Sequence, residues 1–330
     1  FMKKIRVAIN GFGRIGRVFF RNVVKNPIIE ISAINDLADI NVLAHLLKYD
    51  SIYGLSDFDV SCDSDNIIVN EKKIPFSNYI NPYESCFKKT DIVLDATGVF
   101  KTREELSGYF NSTINKVLLA SPPLDDLIKM VVLGVNDQII TDKETILSNA
   151  SCTTNSIAPL IKLIDDNFNI KDAYVTTIHS YTTDQNIHDS PHRDFRRARS
   201  AANSIIPTTT GAAKALTTIF PHLKFNLGGC GIRVPVINGS LTDLTCVVDK
   251  KTDVQSVNDV FKLNSQKNLK NILQYIDEPI VSRDVIGNNH SCVFDSQLTS
   301  VLGNMIKIVS WYDNENGYSN RLIDVILKWF

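Results

Sequence analysis

The sequence predicts the α/β class: a doubly wound parallel sheet joined to a second domain of α+β type. Three observations predict it. A short apolar strand, Ile5 to Asn10, runs straight into the turn Gly11-Phe12-Gly13-Arg14-Ile15-Gly16 and then into a helical stretch from Arg17 to Lys25. A second strand, Ile28 to Ile34, follows at βαβ spacing and ends in Asn35-Asp36. Beyond it, Asp91 to Gly98 and Lys116 to Ser121 are apolar runs closing on small residues, as parallel strands buried on both faces read. The interval from Asn41 to Ile80 holds one helix, Asn41 to Lys48, and a small antiparallel insertion.

Bulk properties narrow the partners. A chain of 330 residues with 44% apolar side chains has material for two domains, each with its own core. With 35 basic against 36 acidic residues, there is no electrostatic reason to expect nucleic acid or an anionic membrane. Cysteines 62, 86, 152, 230, 246 and 292 form no CxxC pair and no zinc-like cluster, so no metal is expected. No apolar run approaches the ~18 residues of a spanning helix and nothing reads as a signal peptide. The expectation is a cytosolic protein with reduced thiols.

The glycine turn carries the first chemistry. GxGxxG alone is weak, but here it lies between strand and helix, with Asp36 ending the next strand twenty residues after Gly16. Gly11, Gly13 and Gly16 permit the tight turn and close backbone approach, and the helix N-terminus faces a pyrophosphate. Asp36 accepts hydrogen bonds from the adenosine ribose and repels a 2′-phosphate, which favours NAD over NADP. The competing reading is a glycine-rich turn with a surface aspartate.

The second chemistry lies in Asn149-Ala150-Ser151-Cys152-Thr153-Thr154-Asn155. A strand-like run, Thr145 to Ser148, leads in, and Ile157, Leu160, Ile161 and Ile164 mark the apolar face of a following helix. Ser151 suits the N-cap, which puts Cys152 in the first helical turn, where free N–H groups and the helix dipole favour a thiolate. An unperturbed thiol is only about 3% ionised at pH 7. His179, delivered by the β-rich run Ala173 to Ser180, can complete the activation and carry a proton. A buried structural cysteine is the alternative; the Ser/Thr/Asn surroundings argue against it.

A polar segment, Tyr181 to Ser204, carries His188, His192, Arg193, Arg196, Arg197 and Arg199. Pro191 disfavours a helical His pair for metal, and aromatic residues are too sparse for a nucleic-acid patch. Arginines binding phosphate or pairing with a neighbouring subunit fit better. Thr208-Thr209-Thr210-Gly211 before a helix, Ala212 to Phe220, makes a second anion cradle, and Arg233 offers a bidentate charge for another phosphate. Trp311 to Tyr318 reads as a turn rich in donors and acceptors ahead of a final helix.

Together these residues resemble the phosphorylating glyceraldehyde-3-phosphate dehydrogenases nearly end to end. The shared motifs are NGFGRIGR at 10–17, HLLKYDS at 45–51, SNASCTTN at 148–155, RRAR at 196–199, TTTGAAKA at 208–215 and SWYDNENGYSNR at 310–321. The resemblance implies a Rossmann-type NAD-binding domain over 1–150 and a catalytic domain with a mixed or antiparallel sheet over 151–315. A C-terminal helix, 316–330, packs back on the first. It implies Cys152 as nucleophile and His179 as base. Ser151, Thr153, Thr210 and Gly211, with Arg197, would hold inorganic phosphate; Thr182 and Arg233 would hold the phosphate of glyceraldehyde 3-phosphate. Arg14, Ile15, Asp36, Ser121 and the backbone of Ile80 would contact NAD, with Asn314 on the nicotinamide amide. It also implies a cytoplasmic homotetramer. Tyr79-Ile80-Asn81-Pro82 and Val236 to Ser240 depart from the family pattern. Rival readings are erythrose-4-phosphate dehydrogenase, disfavoured by the intact Thr210-Gly211; a semialdehyde dehydrogenase, disfavoured by HLLKYDS and WYDNENGY; and an idle scaffold with a binding role.

Overall fold

A computed structural model describes residues 4–81 and 87–330, so Pro82 and Cys86 lie outside the described residues. The chain forms two compact units. One runs through Val131, resumes over Gln138–Ala150 and takes in Ser319–Phe330; the other holds Val132–Asp137 and Ser151–Tyr318.

The first unit begins with β1 (Ile5–Asn10), α1 (Arg14–Val23), β2 (Ile29–Asn35) and α2 (Ile40–Lys48). The short strands β3 (Tyr49–Asp50), β4 (Gly54–Leu55), β5 (Val60–Cys62), β6 (Asn66–Val69) and β7 (Lys72–Ser77) follow. It continues with β8 (Ile92–Asp95), α3 (Arg103–Ser107), β9 (Lys116–Leu119), β10 (Lys129–Met130) and β11 (Ile146–Ser148). Nine of these strands form one sheet in the order β10-β11-β9-β8-β1-β2-β7-β6-β5. The run from β10 to β7 is parallel, and β6 and β5 extend it antiparallel, which is the insertion expected before Ile80. Val7, Ala8, Ile9, Val93 and Leu94 are wholly buried, as strands covered on both faces must be. Strand order reverses between β1 and β8, so the crevice beyond Asn10 and Asp95 is the switch point of the sheet.

The first helix begins at Arg14 rather than Arg17 and ends at Val23 rather than Lys25. Gly13 is extended and serves as the N-cap, so the helix starts inside the glycine motif. At the other end the Asn26 side chain accepts from the N–H groups of Ile28 and Ile29, and Pro27 blocks continuation.

The second unit contains α4 (Cys152–Phe168), β12 (Ile170–Ser180), β13 (Ile206–Thr208), α5 (Gly211–Ile219) and β14 (Leu227–Val234). It then runs through β15 (Ser240–Val248), α6 (Val254–Gln266), β16 (Leu273–Ile276), β17 (Cys292–Leu302) and β18 (Met305–Tyr312), and the chain closes on α7 (Asn316–Trp329). Its seven-stranded sheet, β13-β14-β12-β15-β18-β17-β16, is mixed: β12 with β14 and β16 with β17 are parallel, the rest antiparallel. Trp311 and Tyr312 belong to β18, not to the expected turn, because Ile306, Ile308, Ser310 and Tyr312 alternate inward through the end of the strand.

Candidate active site

Two sets of residues form, one in each unit. In the first, Gly11 has φ +91°, and a Cβ there would stand 2.7 Å from the Ala96 carbonyl carbon. A Cβ on Gly16 would lie 2.2 Å from the Gly11 oxygen, whereas one on Gly13 would meet open space. Glycine is thus required at 11 and 16 by backbone packing, and at 13 the way outward is clear. The N-terminus of α1 has no side-chain cap, the arrangement in which an anion can take that place. Asp36 accepts from the N–H groups of Phe12 at 2.6 Å and Ala38 at 2.9 Å, which fixes its carboxylate beside the glycine turn. Arg14 forms an ion pair with Asp50 at 2.5 Å and lies over the Tyr53 ring, so its guanidinium is engaged within the protein. Ile15 is half-buried and Ile80 is 78% exposed. The Ser121 hydroxyl is buried without a hydrogen-bond partner among the described residues, while the Ser121 carbonyl accepts from Ser148 Oγ at 2.6 Å.

Sequence reading missed the polar floor of this crevice. Asp95 is fully buried and accepts from Tyr109 Oη at 2.6 Å, Thr97 N at 3.1 Å and Thr97 Oγ1 at 2.8 Å. Asn35 Nδ2 donates to Asn10 Oδ1 at 2.7 Å beside it. Burial raises the pKa of Asp95 against these donors. The available signal was polar residues ending three adjacent apolar strands, at Asn10, Asn35 and Asp95.

In the second unit, Ser151 caps α4 as expected, its Oγ accepting from Thr154 N at 3.1 Å. Just before it, Ala150 has φ 51°, a left-handed conformation that costs a residue with a Cβ about 1–2 kcal/mol. That turn sends the chain sharply from β11 into α4, with Cys152 leading the helix. Cys152 Sγ stands 3.6 Å from His179 Nε2 and 3.9 Å from Thr153 Oγ1. Thr153 Oγ1 meets the hydroxyl of fully buried Tyr312 at 3.1 Å, and the Tyr312 ring packs edge-on to His179. Tyr312 has no role in the sequence reading; the inward alternation along β18 was its signal.

His179, the last residue but one of β12, lies directly opposite Arg233 on the parallel strand β14. Its Nδ1 lies 2.7 Å from the Ser180 carbonyl oxygen and 2.8 Å from Arg233 Nη1, which also donates to that oxygen at 2.9 Å. Burial and the Arg233 charge push the imidazole down to about 3, so it is neutral at pH 7. Burial also pushes the Cys152 thiol up, against the Thr153 hydroxyl, the Arg233 charge and backbone N–H groups that pull it down. Desolvation therefore opposes the thiolate that a helix tip favours.

The remaining residues expected at the site make these contacts. Thr210 caps α5, accepting from Ala212 N at 3.2 Å, and Gly211 opens that helix, which packs beside α4. Arg197 donates to Thr208 Oγ1 at 2.8 Å and pairs with Asp184, so it anchors the polar segment to β13. Thr182 donates from N and Oγ1 to Gln185 Oε1 at 2.8 and 3.3 Å. Asn314 Oδ1 accepts from Ser180 Oγ and Ser240 Oγ, both at 2.9 Å, which fixes its amide plane.

Comparison with known proteins agrees with this chemistry. Residues 5–103 match the family model described as glyceraldehyde 3-phosphate dehydrogenase, NAD binding domain, and residues 151–314 match the C-terminal domain of the same family. The chain is 47% identical over 325 residues to glyceraldehyde-3-phosphate dehydrogenase of Priestia megaterium, covering 97% of both chains. It is 46% identical to glyceraldehyde-3-phosphate dehydrogenase 1 of Bacillus subtilis over 97% of both, and 46% identical to the Mycobacterium avium enzyme over 98% of this chain and 97% of that one. Matched at both halves and along nearly its whole length, the chain belongs to the glyceraldehyde 3-phosphate dehydrogenase family.

Proposed function

We propose that the protein catalyses the NAD-dependent oxidation and phosphorylation of glyceraldehyde 3-phosphate to 1,3-bisphosphoglycerate. One observation carries this reading: a cysteine leading a helix behind a strained turn, with its sulfur 3.6 Å from a neutral imidazole. The residues of the first unit suit NAD. The orphaned Ser121 hydroxyl asks for a polar partner, the way out from Gly13 is clear, and the Asp36 carboxylate is held beside the glycine turn. Gly11, Gly13, Gly16 and the backbone of Arg14 and Ile15 would hold the pyrophosphate, Asp36 the ribose, the backbone of Ile80 the adenosine end, and Ser121 and Asn314 the nicotinamide end. Residues 1–150 with the last helix would form the cofactor domain and 151–315 the substrate domain.

Cys152 Sγ adds to the aldehyde carbon as its proton passes to His179 and from there to the carbonyl oxygen, giving a hemithioacetal and leaving the imidazole neutral again. NAD, when bound, supplies the two-electron oxidant that takes this adduct to a thioester. His179 Nε2 takes the hydroxyl proton of the adduct during that oxidation. Ser151, Thr153, Thr210, Gly211 and Arg197 hold inorganic phosphate, whose oxygen attacks the thioester carbonyl and releases the acyl phosphate with return of the thiolate. Thr182 and Arg233 hold the substrate's own phosphate. A homotetramer is the assembly proposed, and the exposed side chains of Phe195 and Phe225, 89% and 92% accessible, are apolar surface that contact with further copies would cover. No helix among the described residues is long and apolar enough to cross a membrane.

The test is NADH formation by the purified protein. Production from glyceraldehyde 3-phosphate that depends on inorganic phosphate is expected; faster turnover of erythrose 4-phosphate would overturn the substrate assignment. Cofactor choice has its own test. Asp36→Ala removes the charge that repels a 2′-phosphate, so the NADP to NAD ratio of kcat/KM should rise about tenfold, or about 1.4 kcal/mol. An unchanged ratio removes Asp36 from that role.

A further inference from the structure

Four adjacent strands of the first unit, β8, β1, β2 and β7, end in the polar residues Asp95, Asn10, Asn35 and Ser77. Their side chains are joined in one line. Asn35 Oδ1 accepts from Tyr79 N at 2.9 Å and Ser77 Oγ at 2.8 Å, and Asn35 Nδ2 donates to the Tyr79 carbonyl oxygen at 2.9 Å. Its second hydrogen goes to Asn10 Oδ1 at 2.7 Å. Asn10 Nδ2 donates to the Tyr109 hydroxyl and, at 3.4 Å, to Asp95 Oδ2, which also accepts from Tyr109 Oη at 2.6 Å. Asp95 Oδ1 accepts from Thr97 N and Oγ1 at 3.1 and 2.8 Å.

The direction of this line is fixed at its far end. A backbone N–H only donates and a carbonyl only accepts, so Tyr79 decides which way round the Asn35 amide lies. Reversed, that amide would set nitrogen against Tyr79 N and oxygen against Tyr79 O. Asn35 Nδ2 then requires the oxygen of Asn10, which turns the Asn10 nitrogen towards Asp95 and Tyr109. The tyrosine hydroxyl, accepting from Asn10, has the carboxylate to donate to. At the other side, Val99 N donates to Thr97 Oγ1 at 3.0 Å, so the Thr97 hydroxyl gives its hydrogen to Asp95. Every hydrogen in the line therefore points towards Asp95, whose ionised carboxylate offers acceptors alone.

The loops beyond these strands depend on the line unequally. The glycine turn and Asp36 are also held by main-chain bonds, Gly11 N to Asn35 O at 2.8 Å and Asp36 N to Ser77 O at 3.1 Å. The main chain of Tyr79 is instead held at both N and O by the Asn35 side chain, and Ile80, 78% exposed, follows it.

We infer that Asp95 is a positioning residue for the adenosine half of NAD: through Asn10 and Asn35, its carboxylate fixes where the main chain of Tyr79 and Ile80 stands. This rests on the proposed place of the Ile80 backbone at the adenosine end. Asp95→Asn keeps the shape and breaks the direction. The new oxygen can answer one pair of donors, and the new nitrogen must face the other. With the oxygen kept on the Thr97 backbone, the nitrogen drives Asn10 to turn its own oxygen inward. The Asn10 nitrogen then meets the Asn35 nitrogen, and the conflict ends at Tyr79, three strands across the sheet from the substitution.

The experiment pairs hydrogen–deuterium exchange of the whole protein, read by mass spectrometry over residues 77–81, with calorimetric titration of ADP-ribose, which carries the adenosine half without the nicotinamide. In the parent, ADP-ribose should slow exchange over 77–81. In Asp95→Asn the Tyr79 amide should exchange about tenfold faster and the Kd for ADP-ribose should rise about tenfold, the scale of one buried hydrogen bond. Amides within β1, β2 and β8 should stay within about twofold of the parent, since a local opening leaves the rest of the sheet closed. Tyr109→Phe removes one donor and keeps the direction, so the same pattern is expected at about threefold; it carries the test if Asp95→Asn does not fold. An unchanged Tyr79 amide, an unchanged Kd, or acceleration spread evenly over the sheet overturns the inference and leaves Asp95 a structural residue. ADP-ribose that fails to bind the parent, or binds without slowing exchange over 77–81, removes Ile80 from the adenosine end and the inference with it.

Discussion

Cys152→Ser is expected to lower turnover about 10³-fold or more while leaving NAD affinity within twofold of the parent, by analogy with other losses of a nucleophile. The hydroxyl is close to isosteric and can bond to Thr153 and His179, so the fold and the helix cap should persist. It cannot be brought to the alkoxide by a neutral imidazole at 3.6 Å as readily as a thiol reaches thiolate, and an oxygen ester stores less reactive acyl than a thioester. NAD affinity should hold because the residues assigned to it, Gly11, Asp36 and Ser121 among them, keep their own hydrogen bonds and packing in the first unit. Steady-state NADH formation with fluorescence titration of NAD checks both halves. Turnover within tenfold of the parent would remove Cys152 from the chemistry; lost cofactor binding would mean that the substitution acts on structure. Iodoacetamide labelling gives a further control, since it should block the parent and spare the variant.

What could be read from the residues alone followed from local rules, and what could not depended on packing. The glycine turn was legible because Gly11 and Gly16 are demanded by contacts within a single βαβ unit, so spacing and composition carry the information. The helix tip at Cys152 was legible because a cap residue followed by an apolar 3.6-residue period is a local signal. The start of α1 at Arg14 was missed because the glycine motif itself supplies the cap, and glycine gives no side-chain sign of helicity. Tyr312 was missed because its place under Thr153 depends on the register of β18 against β15, which pairs Tyr312 with Ser240. The contact of Arg233 with His179 likewise arises from the pairing of β14 with β12, separated by the whole polar segment and α5. Sequence proposes Arg233 as a phosphate ligand; only strand register puts it beside the imidazole. The environment of the thiol was only half legible for a related reason: the helix dipole is visible in sequence, whereas the desolvation that opposes it exists only once the side chains have packed.

His179→Gln should cost about 10²- to 10⁴-fold in turnover, the range for loss of a general base, with a smaller change in KM. It should also alter stability in a way that a purely catalytic residue would not. Burial and Arg233 hold the native imidazole at about 3 against an ordinary value of 6.5, so between those values the unfolded chain binds a proton that the native protein refuses. Stability from this group is therefore fully present above about pH 6.5 and falls as the pH drops, by about 1.4 kcal/mol for each unit below that point, until the native ring itself titrates. Glutamine has no such proton. Denaturant melts at pH 7 and pH 5 should show the parent losing more stability than the variant, with the difference confined to that window. Equal losses would mean that the ring is protonated in the native protein at pH 5, and hence that Arg233 does not oppose its charge. Coincidence of the two effects, a kinetic loss at neutral pH and a flattened acid limb in stability, would tie the catalytic role of His179 to the environment that keeps it neutral.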